Sequence, residues 1–242
     1  MALKLCDVDV SKICFGDAVT NNNGQKVVPI SMVGGQFNYD SRLRFQLGDD
    51  EDSLLCSPWG LSTPMPGSDP LRRNLEFEVT PEMEEKLKAI DDFITKAASE
   101  KSMAFFKTET LKKEYTPLVR VDKNGRKMVR IKVIMPGAQA KPTTVEELVD
   151  AQGEAVHRPL AAEKIGKNTQ LLAVVDTQGI WSSHAQFGLS LTARGLLVRI
   201  PASKEGISMF SLKRTLRQAQ ASDGIEEETG SAAPGVEEPV YD

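Results

Sequence analysis

Apolar and polar positions alternate along much of the chain, and the alternation predicts strands. In residues 41–47, Leu43, Phe45 and Leu47 share one face while Arg42 and Arg44 fall among the others, the period of a half-buried strand. Residues 73–79 (RNLEFEV) repeat the pattern. Two further alternating runs, LVRV and KMVRIKVIM, flank Asn124-Gly125, a dipeptide suited to a tight hairpin turn. In the second run Val129, Ile131 and Val133 take one face, and Arg130 and Lys132 the other. Residues 171–200 read as strand, turn, strand. Leu171, Leu172, Val174 and Val175 lead to a break at Gly179, and the chain returns through Phe187, Leu189, Leu191, Leu196, Val198 and Ile200. Trp181, between Ile180 and Phe187 in a segment poor in cations, is assigned to the core. Shorter strands are expected near 12–19 and 25–31, joined by the turn Asn21-Asn22-Asn23-Gly24. Another precedes Ser57-Pro58-Trp59-Gly60-Leu61.

Residues 80–100 break this period and predict a helix. Thr80 suits the N-cap, Pro81 the first helical position, and Glu82, Glu84 and Glu85 the positive end of the dipole. Met83, Leu87, Ile90, Ile94 and Ala97 form one apolar stripe, with Asp91 and Asp92 expected on the solvent side. A second short helix is expected at 108–114, a helical turn at 144–149 inside a loop, and a partly helical segment at 203–220.

Composition bounds what these elements build. The chain has 242 residues, 40% hydrophobic and 26% charged, ordinary values for a soluble protein. No apolar run approaches the roughly 18–20 residues of a membrane helix, and no secretory signal is visible at the N-terminus. Three cysteines without metal-ligand spacing fit a reducing, intracellular compartment. The expected organisation is an N-terminal extension (1–24), a β-rich domain (25–202), a helical segment (203–220) and a disordered acidic tail (221–242). Internal repeats are not apparent.

Catalytic signatures are missing. The two histidines, His157 and His184, have no metal-spaced partner, and HExxH, GxGxxG and GxSxG are absent. Gly166-Lys167 lacks the preceding glycine and the following Ser or Thr of a phosphate loop. The expectation is therefore no enzyme, no catalytic residue, no cofactor and no metal.

Charge supplies the positive signal. The net charge is −4, yet residues 223–242 carry seven acids and no base, which leaves 30 bases against 27 acids in the body. Within 101–141, eleven bases face three acids, and Phe105, Phe106 and Tyr115 interleave with them. Cations for phosphates and rings for bases are what single-stranded nucleic acid requires. The candidate binding residues are Lys107, Lys112, Lys113, Arg120, Lys127, Arg130 and Lys132 for phosphates, and Phe106, Tyr115 and Trp59 for stacking. The competing reading is a solvated basic surface, with Phe105 and Phe106 plugging the core. A flexible acidic tail could occupy a cationic groove and yield it to nucleic acid.

In their order, these motifs resemble a known family. They are Ser57-Pro58-Trp59-Gly60-Leu61; the helix with Leu87, Ile90 and Asp91; Phe105-Phe106; Tyr115-Thr116-Pro117-Leu118; Val129-Arg130-Ile131-Lys132-Val133; and Ile180-Trp181 with Phe187-Gly188-Leu189. Together they resemble the single-stranded DNA-binding proteins of nucleocytoplasmic large DNA viruses and their eukaryotic relatives, akin to the phage T7-type protein. The resemblance implies a mainly β fold: an OB-like β-barrel with one long inserted helix, a short C-terminal helix and a disordered acidic tail. It implies non-catalytic binding of single-stranded DNA in replication, recombination or repair, in the nucleus or at a viral replication site. Replication proteins would be reached through the tail, although its aromatic, Tyr241, is penultimate rather than terminal. RNA as ligand, a protein-interaction scaffold and a homo-oligomer are the alternatives left open.

Overall fold

The computed structural model describes residues 2–20, 24–32, 42–64, 66–151 and 154–201. The expected helix at 203–220, the acidic tail and the turn at Asn21–Asn23 lie outside these residues. The described chain is mainly β with one long helix.

In chain order the strands are β1 (Leu3–Lys4), β2 (Cys14–Phe15), β3 (Val19–Thr20), β4 (Lys26–Val28), β5 (Ile30–Ser31), β6 (Arg44–Leu47), β7 (Leu55–Ser57) and β8 (Arg72–Glu78). Helices α1 (Pro81–Glu100) and α2 (Ser102–Phe106) follow. Then come β9 (Glu114–Thr116), β10 (Val119–Val121), β11 (Lys127–Ile134), β12 (Thr144–Ala151), β13 (Glu154–Pro159), β14 (Thr169–Ser182) and β15 (Gln186–Arg199).

The spine is the long antiparallel pair β14–β15, which runs from Gln170 opposite Arg199 to Ser182 opposite Phe187 with register shifts at Val174–Val175 and at Thr177–Ile180. Leu171, Ala173, Val175 and Ile180 pack with Phe187, Leu191, Leu196 and Val198 into the core. The ladder slips between Thr177 and Ile180. Gly179 sits in this irregularity at φ +110°, and a Cβ there would lie 2.4 Å from the Val28 carbonyl oxygen. Only glycine permits that bulge beside β4.

Strands β4, β6 and β7 pair antiparallel with β14. Strands β9, β11 and β12 run parallel to β15. The sheet continues from β11 to β8 and β10, both antiparallel. It curls until β8 approaches β7, yet no ladder joins those two. Ser57 Oγ donates to the Glu76 carbonyl at 2.7 Å, and the Ser62 N–H to the Asn74 carbonyl at 2.8 Å. The strands thus form a curled sheet whose seam is one side-chain bond and an isolated bridge at Leu61–Leu75, short of the closed barrel the sequence suggests.

Helix α1 forms as its sequence dictates. The Thr80 hydroxyl accepts from the Met83 N–H at 3.3 Å, with Pro81 at the first position. Its stripe of Met83, Leu87, Ile90, Ile94 and Ala97 is buried. Each large side chain there contributes about 1.5–3 kcal/mol of apolar burial.

Three expectations need correction. The short helix lies at Ser102–Phe106, and Lys107, at φ +59°, ends it in the left-handed conformation before 108–114 is reached. Residues 144–149 form a strand, not a helical turn. Val145 and Leu148, three apart, fit one helical face, but in β12 they bury on opposite sides of a strand. Pairing of Thr144–Glu147 with Gly195–Val198 decides the matter. The first residues are no appendage: Leu5, Val8 and Ile13 are buried in the common core. Among the described residues no helix is long and apolar enough to cross a membrane.

Candidate nucleic-acid interface

Alternation along β11 builds the site. Val129, Ile131 and Val133 are fully buried, so Arg130 and Lys132 must point from the opposite face. Register places their neighbours. Glu76 lies beside Arg130 and Asn74 beside Lys132 on β8, and Thr192 lies beside Lys132 on β15. Arg120 pairs with Met128 on β10, so it shares this outer face one step from Arg130. The row continues through Thr192 to Asp176 on β14 and Arg44 on β6. Arg44, Asp176, Thr192, Lys132 and Asn74 thus cross five strands on one side of the sheet.

Part of this face is a cleft of about 190 Å³. Arg120, Arg130 and Lys132 supply its cations, Asn74 and Ser190 its neutral polar groups, Thr116–Leu118 one wall, and Trp181 an indole ring. Trp181 corrects the sequence reading, which gave it to the core. Ile180 and Phe187 are buried, and strand parity turns the residue after Ile180 outward. Its ladder partner is Gly188. A Cβ at Gly188 would stand 3.1 Å from the indole and 2.9 Å from the Thr116 carbonyl oxygen. The missing side chain lets the half-buried ring lie over β15.

Electrostatics keep the cations directed. Arg130 Nε donates to Glu76 Oε1. Among the described residues Arg120 and Lys132 have no carboxylate within ion-pair distance. Desolvation first, and then the charge of Arg130, pulls the Arg120 pKa below its ordinary value, against an opposing contribution from Glu76. Lys132 is held low by desolvation and then by Arg72, although its side chain still reaches solvent. Crowded, partly desolvated cations gain from an incoming anion. At the far end of the row, fully buried Asp176 accepts from Arg44 Nε at 2.6 Å and from Arg194 Nε.

The wall that carries Thr116–Leu118 is fastened to α1. Asp91 is 7% exposed, contrary to its expected place in solvent. It accepts from the Tyr115 hydroxyl at 2.6 Å and from the Leu118 N–H at 2.9 Å. Burial is the main cause that raises its pKa to about 6; the two hydrogen bonds partly offset it.

The remaining predicted residues do other work. Phe106 is 8% exposed and packs against Phe105 and Phe187, so it cannot stack on a base. Tyr115 is half-buried behind the wall, its ring against Phe187 and its hydroxyl on Asp91. Lys113 lies over the Phe106 ring and donates to Ser182 Oγ at 2.7 Å and to the Ser183 carbonyl, clasping the β14–β15 turn. Lys127 pairs with Glu84 at 2.6 Å. Lys107 and Lys112 are exposed on the segment after α2 and do not line the cleft. Trp59 is 43% exposed, with the Arg126 guanidinium 5.0 Å above its ring. Asp122 and Glu78 hold that arginine in place. The basic stretch therefore gathers in part: Arg120, Arg130 and Lys132 converge, and the others do not. Among the described residues no group of three His, Cys, Asp or Glu side chains is placed to hold a metal ion.

No family model matches the chain, and the search of curated proteins found no match. Among solved structures, the chain is similar to the single-stranded DNA-binding protein gp2.5 of bacteriophage T7, with TM-score 0.43 and 11% identity over 68% of this chain and 96% of that one. The single-stranded DNA-binding protein of bacteriophage Enc34, in a C-terminal truncation, gives TM-score 0.40 and 11% identity over 81% and 99%. The Enc34 protein in complex with single-stranded DNA gives TM-score 0.41 and 10% identity over 79% and 97%.

Proposed function

We propose that the chain binds single-stranded DNA without sequence preference, along the outer face of β8, β11 and β15. The observation that carries this reading is the convergence of Arg120, Arg130 and Lys132 with the Trp181 ring in one cleft. The cations neutralise phosphates, and release of condensed counterions drives association. The indole offers a flat apolar face to a base, a contact worth about 1–3 kcal/mol. In a duplex both faces of each base are covered by its neighbours, so a ring inside a cleft favours an unpaired strand. Glu76 holds Arg130 extended toward the cleft, which reduces the entropy lost on binding.

We read the curled sheet as an OB-like barrel whose seam is at β7 and β8. The same reading gives the protein a non-catalytic role in replication, recombination or repair, and extends the resemblance to the viral single-stranded DNA-binding family. The acidic residues of 223–242 then compete for the cleft when DNA is absent and reach replication proteins when it is present.

The test is equilibrium binding of the full chain to single-stranded DNA, single-stranded RNA and duplex DNA across a salt series. Tighter binding to the single-stranded DNA, weakening with salt, is expected. Preference for duplex, or affinity that ignores salt, overturns the reading; preference for RNA reassigns the ligand.

A further inference from the structure

Strand β13 is an edge. It pairs with β12 and with no other strand among the described residues, and all six of its residues are exposed. Its open side carries backbone donors and acceptors able to pair with another strand. One face of the β12–β13 arm is already engaged: His157 contacts Glu51 at 3.0 Å and Glu146 at 3.5 Å. The opposite face carries Glu154, Val156 and Arg158 on β13, with Val149 and Glu147 beside Val156 and Arg158 on β12. Val156 is 40% exposed there, a large apolar side chain between Glu154 and Arg158 on the same face.

The order of these side chains is self-complementary. We propose that β13 is the edge through which two copies of this chain pair, antiparallel, with Val156 on the two-fold axis. That register sets Glu154 of each copy opposite Arg158 of the other, twice. It also aligns Val149 and Val156 of one copy with Val156 and Val149 of the other, an apolar stripe four side chains long. Arg158, which already contacts Glu147 at 3.3 Å, gains a second carboxylate across the interface. Like charges set directly opposite destabilise a strand pair, and a proline removes a backbone donor from it. Here the charges at the two ends are opposite in sign, and Pro159 falls outside the paired segment. Such an isologous contact closes on itself and stops at a dimer. Strand β12 joins β15 at Gly195–Val198, whereas the cleft uses Leu189–Leu191, so the inference stands apart from the proposed DNA site.

Sedimentation of the full chain over a concentration series tests this. A concentration-dependent dimer is expected, weakened at least tenfold by Glu154→Arg, which faces arginine with arginine, and recovered in Glu154→Arg/Arg158→Glu. As an independent measurement, Val156→Cys is made in a chain whose Cys6, Cys14 and Cys56 are serine. Cα atoms of directly opposed residues lie about 4.5–5.5 Å apart, within reach of a disulfide, so oxidation is expected to yield a covalent dimer. A monomer at every concentration, a dimer indifferent to Glu154→Arg, or no cross-link at position 156 overturns the proposal.

Discussion

The Tyr115 hydroxyl donates a 2.6 Å hydrogen bond to the Asp91 carboxylate, joining the wall of the cleft to the middle of α1. The carboxylate sits among Leu87, Ile90 and Ile94, where an unpartnered charge would be costly. Tyr115 and the Leu118 N–H make it tolerable, and in return they fix the backbone that leads into Arg120.

Stability should fall as pH rises from about 4 to about 6. The Asp91 pKa is raised by burial from 3.8 to about 6. Between those values the folded state holds a proton the unfolded chain has lost, so stability is greatest below the unfolded value and declines to a plateau above the folded one. The shift corresponds to about 3 kcal/mol. Asp9, Asp50 and Asp122 are shifted downward and titrate below this window. Urea unfolding at steps of pH measures the slope, and Asp91→Asn should flatten it.

Tyr115→Phe removes a hydrogen bond that lowers the Asp91 pKa. The carboxyl carbon resonance of residue 91 should then titrate above pH 6. Stability at neutral pH should drop by about 1.5–3 kcal/mol, the range for a hydrogen bond to a charged group. An unchanged titration would show that Tyr115 does not reach the carboxylate in solution.

Trp181 and Phe106 should separate cleanly. Trp181→Ala should weaken binding of single-stranded DNA by roughly 5- to 150-fold, the equivalent of about 1–3 kcal/mol of stacking. Phe106→Ala should instead cost about 3–5 kcal/mol of folding stability, as a buried aromatic does. Parallel binding and denaturation measurements on both variants distinguish a ligand contact from a core contact.

The cleft cations should set the salt dependence. Each phosphate neutralised on a single strand contributes about −0.7 to the slope of log affinity against log salt, so three cations predict a slope near −2. Lys132→Ala and Arg120→Ala should each reduce its magnitude by about 0.7. Lys107→Ala and Lys112→Ala, outside the cleft, should leave it nearly unchanged.

The sequence makes the elements legible wherever one residue type has one solution. Thr80-Pro81 and the apolar stripe specify α1, and the alternation of Val129 to Val133 specifies both faces of β11. What escapes it is set by distant partners. Asp91 sits four residues after Leu87 and three before Ile94, squarely on the stripe. Reading it as solvated ignores that spacing, but its rescuers lie 24 and 27 residues away. Trp181 was recoverable: Ile180 turns inward, so its neighbour turns outward, and glycine at 188 makes room for the ring. Residue type and proximity to other cations point to Phe106, Tyr115 and Lys113 as ligand contacts. Packing at the end of α1 spends all three on structure. Val145 and Leu148 mislead because a three-residue spacing fits a helix face as well as two sides of a strand.

The most direct test uses Trp181 itself. Only two tryptophans are present, so Trp59→Phe leaves Trp181 as the sole indole emitter. Oligothymidylate is titrated onto this variant while anisotropy of the labelled strand reports binding independently. The account predicts quenching of Trp181 in step with binding, and loss of both together as salt rises. Binding by anisotropy with no change in Trp181 emission would contradict it, because the strand would then occupy some other surface.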